Sequence, residues 1–202
     1  ELQGLGIDAV SGATLTSTAI LEGVADCVEQ AGGDVEALKA VKPEVVKEAD
    51  EELTADVVVI GAGGAGMAAA VTANQAGKSV IVIEKTASMG GNTALAGGAL
   101  NAVDEGSEEA LARDDSVEFH YQQTYEGGDE QGDPELVRKL VTEAYDGVEW
   151  LMDLGMEFQP GLFTVTGGMW ERAHKPVEPG GSGFFKTYQA CMDEHDGITM
   201  KY

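Results

Sequence analysis

Three stretches of the chain combine residue types at spacings that could do chemistry. Gly61-Ala62-Gly63-Gly64-Ala65-Gly66 has the spacing G-x-G-x-x-G, and Glu84 stands 23 residues after Gly61. In such a motif the first glycine permits a tight turn off a strand and the second lets the backbone approach a pyrophosphate. The third allows a helix to pack closely on the strand. The helix that opens there offers N–H groups and the positive end of its dipole to phosphates. An acid about 20 residues further on is placed to bond ribose hydroxyls, the role expected of Glu84. Near the N-terminus, Asp8-Ala9-Val10-Ser11-Gly12-Ala13-Thr14-Leu15-Thr16-Ser17 sets hydroxyls around a glycine. Those hydroxyls can accept a transferred group on a permissive turn, or cap a helix, and the residues satisfy both readings. In the third stretch, Arg172-Ala173-His174-Lys175, His174 could be a general acid, a substrate ligand or part of a pocket wall.

The elements that must position these residues follow from periodicity. Ala55-Asp56-Val57-Val58-Val59-Ile60 is a continuous apolar run, which predicts a strand buried on both faces. A helix over Met67–Ala76 ended by Gly77, and a second strand over Ser79–Ile83 stopping at Glu84, complete a βαβ unit with a parallel sheet. Ile20, Val24, Cys27 and Ala31 mark a helix that Thr16 or Ser17 can cap and that Gly32-Gly33 can stop. Residues 34–52, with Pro43 and the acidic run Glu48–Glu52, read as solvated linker. Asp133-Pro134 reads as N-cap and first helical residue. The helix face is predicted to hold Leu136, Leu140, Ala144, Val148 and Leu151, up to Gly155. Residues 104–133 read as acidic surface helix and loop, 164–187 as loop, and 198–202 as the start of a strand, so the fold is expected to continue past both ends.

Composition narrows the possibilities. Against 36 Asp plus Glu stand 12 Lys plus Arg, a net charge of -24. Such a surface repels phosphate backbones and anionic lipid, so nucleic-acid or peripheral-membrane binding through a basic face is not expected. Hydrophobic residues make up 43% of the chain, enough for a packed core. The 28 glycines exceed the usual share of about 7% without a collagen period, which assigns them to turns and close backbone approaches. Cys27 and Cys191 fit no metal or haem spacing, and no apolar run reaches the roughly 18 residues of a membrane span.

After Glu84 the chain continues Lys85-Thr86-Ala87-Ser88-Met89-Gly90-Gly91-Asn92-Thr93-Ala94-Leu95-Ala96-Gly97-Gly98, then Asn101-Ala102. This resembles the FAD-binding domain of the fumarate reductase and succinate dehydrogenase flavoprotein family, and within it the soluble flavocytochrome-type branch. Gly167-Gly168-Met169-Trp170-Glu171-Arg172-Ala173-His174-Lys175-Pro176, followed by Gly180-Gly181, is similar to a second motif of that branch. The likeness covers about residues 53–202. It implies an α/β fold, a Rossmann-like FAD-binding domain, with FAD extended against the Gly-Gly loop. The residues it assigns to FAD are Gly61, Gly63, Gly64, Ala65, Gly66, Glu84, Lys85, Gly91, Asn92, Thr93, Ala96, Gly97 and Gly98. Asn92 stands where membrane-complex members carry a His bonded to FAD, so FAD is expected to be held without a covalent bond. The branch's proton-donating Arg belongs to a capping domain, and no catalytic residue is expected in residues 1–202; Arg172 and His174 are expected to shape the flavin pocket or its rim.

The stretch Asp8–Ser17 resembles the flavinylation signal D-x-x-[ST]-G-A-[TS] of FMN-binding domains, in which an FMN transferase moves FMN from FAD to the hydroxyl after G-A. That hydroxyl is here Thr14, with Asp8 as a recognition or positioning residue. The organisation implied is the C-terminal part of an FMN-binding domain at 1–40, an acidic linker at 41–52 and a truncated FAD-binding domain at 53–202. The function implied is reduction of an activated C=C bond in a small unsaturated acid of fumarate, urocanate or acrylate type. Electrons would come from an upstream quinol dehydrogenase or cytochrome through FMN to FAD, in an extracytoplasmic bacterial protein. Ketosteroid dehydrogenases and aspartate oxidases share the FAD motifs but lack the S-G-A-T module, and a non-catalytic electron carrier would not need a second flavin.

Overall fold

The computed structural model describes residues 4–7, 14–41 and 50–202, and the chain divides into two units, Glu1–Glu52 and Leu53–Tyr202. Asp8, Ser11, Gly12, Ala13 and Pro43 lie outside the described residues.

In the first unit α1 runs over Thr14–Gln30 and α2 over Val35–Ala40. Because α1 begins at Thr14, Thr16 and Ser17 sit inside its first turn, where helical backbone replaces the extended conformation a cap requires. Neither is the cap the sequence predicts. The helix ends as expected, with Gly32 at φ 78° and the Gly33 N–H donating to the Val28 carbonyl at 2.9 Å. Leu21, Ala25 and Val28 are partly covered, whereas Ile20, Val24 and Cys27 of the predicted stripe are exposed. The stretch after Asp34 is not linker throughout. Asp34 accepts from the Ala37 N–H at 3.0 Å and so caps α2, which is too short to show a periodicity.

In the second unit the strands β1 (Val57–Ile60), β2 (Val80–Ile83) and β5 (Ile198–Lys201) form a parallel sheet in the order β1-β2-β5. Val57 is level with Val80, and Val80 with Ile198. Asp56 ties the entries of β1 and β2 together by accepting from the Ser79 N–H and hydroxyl, each at 2.9 Å. The helix α3 (Gly64–Gln75) joins β1 to β2. Its Met67, Ala70 and Val71 form the core with Val80, Val82, Leu151, Phe184, Phe185 and Tyr188. The expected burial of β1 on both faces is corrected: Val57 and Val59 pack on this core, while Val58 is 53% and Ile60 86% exposed. Only one face of β1 meets that core among the described residues.

Around this sheet lie α4 (Gly91–Leu95), α5 (Glu108–Ala112), α6 (Val117–Gly127), α7 (Pro134–Asp153) and α8 (Ser182–Glu194), with a small antiparallel pair β3 (Leu100–Asn101) and β4 (Ala173–His174). Asp133 caps α7 as predicted, accepting from Glu135 N at 2.9 Å and Leu136 N at 3.3 Å. Its buried face differs from the predicted one: Val141, Val148 and Leu151 are inside, while Leu136 and Leu140 are exposed. Positions repeating every four residues drift by about 40° per step around a helix of 3.6 residues per turn, which carries Leu136 off the face. The predicted loop 164–187 is also corrected, because α8 begins at Ser182 and buries Phe184, Phe185, Thr187 and Tyr188.

Candidate functional site

The turn between β1 and α3 combines a backbone contact at Gly66 with open space at Gly63. Gly61 adopts φ 99°, a conformation β-carbon-bearing residues rarely take, and turns the chain off β1. A Cβ on Gly66 would lie 1.9 Å from the Gly61 carbonyl oxygen, so helix and strand approach to backbone contact. At Gly63 the outcome is the opposite: among the described residues nothing lies within 4 Å of the missing Cβ. That open space stands at the start of α3, whose N-cap Gly63 provides no capping side chain. A helix N-terminus with no side chain at its N-cap, beside an unobstructed backbone, has the form of a phosphate cradle.

Glu84, at the end of β2, is buried and holds this turn. Its Oε2 accepts from the Ala62 N–H at 2.8 Å, and its Oε1 accepts from the Thr86 N–H at 2.9 Å and the Thr86 hydroxyl at 2.8 Å. The backbone N–H of Ala62, aided by Thr86 and by the charge of Lys85, holds its carboxyl down to about 2. A carboxylate has roughly four acceptor sites, so these three bonds leave capacity for one further donor. Thr86 is a site residue that the sequence reading missed, because a hydroxyl two residues from an acid carries no recognisable spacing.

The loop after β2 is locked to the same turn. Gly63 bridges to Gly90, and the Gly64 N–H donates to the Thr93 hydroxyl at 3.2 Å. A Cβ on Gly98 would meet the Gly180 carbonyl oxygen at 2.1 Å, and one on Gly181 the Thr93 carbonyl oxygen at 1.7 Å. The Gly181 N–H donates to the Ala96 carbonyl at 3.0 Å. Gly61, Gly63, Gly64, Gly66, Glu84, Thr93, Ala96 and Gly98 are thus brought together by direct contacts. Lys85 and Asn92 are exposed on the flanking segments, as are Gly91 and Gly97.

Arg172 and His174 leave this turn for other tasks. Arg172 forms a two-point ion pair with Asp115, Nε to Oδ2 at 3.0 Å and Nη2 to Oδ1 at 2.7 Å, with both side chains at most 4% exposed. Phe119 lies beneath the guanidinium at 5.6 Å and meets Trp170 edge-on at 5.0 Å. His174 lies against Tyr145 and Phe158, at 5.8 and 6.2 Å between ring centres. It lines a cavity of about 330 Å³ with Asp104, Ser107, Tyr145 and Gln159. Burial lowers the His174 imidazole pKa against the opposing effects of the Ala102 backbone and Asp104, and its Nε2 has no partner among the described residues.

Comparison with known proteins agrees with this geometry. Residues 56–199 match the FAD binding domain family, and residues 2–29 match the FMN-binding domain family. Urocanate reductase of Eggerthella lenta is 42% identical over 78% of this chain and 26% of its own length. NADH:acrylate oxidoreductase of Vibrio harveyi is 32% identical over 96% of this chain and 25% of its own length. A flavocytochrome c3 fumarate reductase in its open conformation superposes with a TM-score of 0.64 at 28% identity, over 80% of this chain and 32% of that one. The chain spans about a quarter of the length of these curated relatives. No helix among the described residues is long and apolar enough to cross a membrane. The α/β fold, the glycine turn and the matched residues together make this chain a member of the FAD-binding family of fumarate reductase-like flavoproteins, with a segment of an FMN-binding domain ahead of it.

Proposed function

We propose that the protein is a flavin-dependent reductase of an activated C=C bond in a small unsaturated carboxylic acid, of the fumarate, urocanate or acrylate type. The observation that carries this reading is the interlocked glycine turn with its open position at Gly63, in a chain whose relatives include urocanate and acrylate reductases. In this reading FAD lies non-covalently along Gly61, Gly63, Gly64, Ala65 and Gly66, with its pyrophosphate at the start of α3. Glu84 uses its remaining acceptor capacity for a ribose hydroxyl. Lys85, Gly91, Asn92, Thr93, Ala96, Gly97 and Gly98 flank the cofactor. When bound, FAD would supply the redox chemistry of a two-electron reduction. The residues of this chain hold it, fix its direction and keep its phosphates on the helix dipole.

The FMN arm of the reading rests on Thr14. Its side chain is exposed at the first residue of α1, where the helix dipole favours an attached phosphate by about 0.3–1 kcal/mol. An FMN transferase would load it, and an upstream quinol dehydrogenase or cytochrome would reduce it. Because such modules are served outside the cytoplasmic membrane, we place the mature protein there, in a periplasm or on a cell surface. The activity test uses purified full-length protein reduced with dithionite and offered fumarate, urocanate, acrylate and cinnamates. Reoxidation by at least one acid is expected, and indifference to all of them overturns the reading. Denaturation should release FAD into the supernatant. A peptide containing Thr14 should carry the mass of FMN less water, and Thr14→Ala should abolish that adduct while FAD release persists. Persistence of the adduct in the variant would reject the assignment to Thr14.

A further inference from the structure

We propose that Lys175 is the electrostatic partner of the flavin ring, a fixed cation that favours the reduced cofactor; this rests on the FAD reading above. A groove of about 580 Å³ is lined by Ala96–Ala99, Thr164–Thr166 and Lys175. Small residues make its wall flat, and at Gly97 nothing among the described residues lies within 4 Å of the missing Cβ. Lys175 is the groove's one charged lining residue among the described residues. In a chain with 36 acidic residues, Lys175 forms no ion pair among the described residues. Its Nζ instead lies 4.6 Å from the centre of the Phe163 ring, a contact that holds an ammonium in place without neutralising it.

The position of the groove follows from the contacts of the glycine turn. Gly63 bridges to Gly90 and Gly64 bonds Thr93, so the loop after β2 starts at the phosphate cradle. That loop runs through α4 and reaches the groove at Ala96. An extended dinucleotide whose pyrophosphate sits at α3 and which follows this loop therefore brings its ring end to Lys175. His174, the neighbouring residue, lines the separate 330 Å³ cavity beside Tyr145, as alternation along an extended strand requires. Oxidised flavin is neutral, and uptake of two electrons and one proton leaves one negative charge on its pyrimidine portion. A cation fixed nearby favours that state, because charge near the ring is one of the few levers a protein has on a flavin's electronics.

The test uses full-length, FAD-loaded protein with two readouts besides turnover: the midpoint potential of the bound FAD and the affinity for sulfite. Sulfite adds its lone pair to N5, forming an N–S bond without a leaving group and leaving the ring negative, so it reports the same stabilisation. In Lys175→Met the potential should move to more negative values and sulfite should bind roughly tenfold more weakly. Lys175→Arg should restore both. Should Lys175→Met lose the cofactor, Lys175→Gln carries the same readouts. Stoichiometric FAD with unchanged potential and sulfite affinity overturns the proposal. So does a rise in KM for the acid with the potential unchanged, which would make Lys175 a ligand for substrate carboxylate. Wild-type protein that binds no FAD would instead defeat the reading on which the proposal rests.

Discussion

The turn around Gly61 and the flank around Arg172 both hold distant segments at a fixed separation, by opposite means. At the turn, backbones touch because no side chain stands between them: Gly66 lies against Gly61, Gly98 against Gly180 and Gly181 against Thr93. At the flank, Arg172 and Asp115 meet as a buried ion pair across 57 residues of sequence, with Phe119 and Trp170 packed around it. Steric contact tolerates no added atom, whereas a charge pair tolerates joint replacement but not the loss of one partner. The first arrangement leaves open backbone for a ligand at Gly63. The second buries both of its charged side chains.

The largest effect expected from breaking this contrast is at the flank. Asp115→Ala strands the Arg172 guanidinium in the interior and should cost about 3–5 kcal/mol, read by denaturant unfolding. The double variant Asp115→Leu with Arg172→Met should recover to within about 1 kcal/mol of wild type, since apolar replacement of both charges is often neutral. A double variant as unstable as the single one would show that the pair is not replaceable. Next comes the turn. Gly66→Ala forces a Cβ to 1.9 Å from a carbonyl oxygen and should cost about 1–3 kcal/mol together with FAD content, measured by thermal unfolding and released flavin. Wild-type stability in that variant would mean the helix and strand can separate freely.

A finer probe of the flank uses pH. His120 is buried beside the ion pair, and burial, with the charge of Arg172, pushes its imidazole pKa down to about 4 from 6.5 despite the opposing effect of Asp115. Between those two values the unfolded chain takes up a proton that the folded chain refuses. Its contribution is therefore constant above about pH 6.5 and is lost as pH falls, by about 1.4 kcal/mol per unit through that window. Stability measured against pH in His120→Gln should lack this slope; an identical slope would place the titration elsewhere. The smallest effect, a reference away from both regions, is Asp133→Ala at the α7 cap, about 1 kcal/mol in the same unfolding assay.

What was legible in the sequence was what short spacings encode. The strand-turn-helix at Val57–Gln75, the acid ending β2 and the Asp133 cap each depend on residues within one or two turns of each other, and each is found where expected. The gathering of the glycine loops was visible as motifs but not as contacts, because Thr93 and Gly181 meet across 88 residues. The Arg172–Asp115 pair left no signal at all, since an Asp among 36 acidic residues is unremarkable until its partner is seen. The start of α8 is hidden by the glycines before it, which draw its apolar Phe184 and Phe185 into the predicted loop 164–187. Burial of Val58 and Ile60 is expected from a continuous apolar run, and such a run does not say how many of its faces have neighbours.

The glycine contacts also decide where this chain could be cut and rejoined. They act as stitches between the segments 61–66, 90–98 and 180–181, and each stitch depends on a close approach that an added Cβ would obstruct. A reporter peptide inserted into any of these segments would pull the seam apart, and a circular permutation opening there would lose its template. The turn at Gly106 is outside the seam: it is exposed, and nothing among the described residues lies within 4 Å of its missing side chain. A flavin-linked biosensor made from this protein would carry its insertion at Gly106.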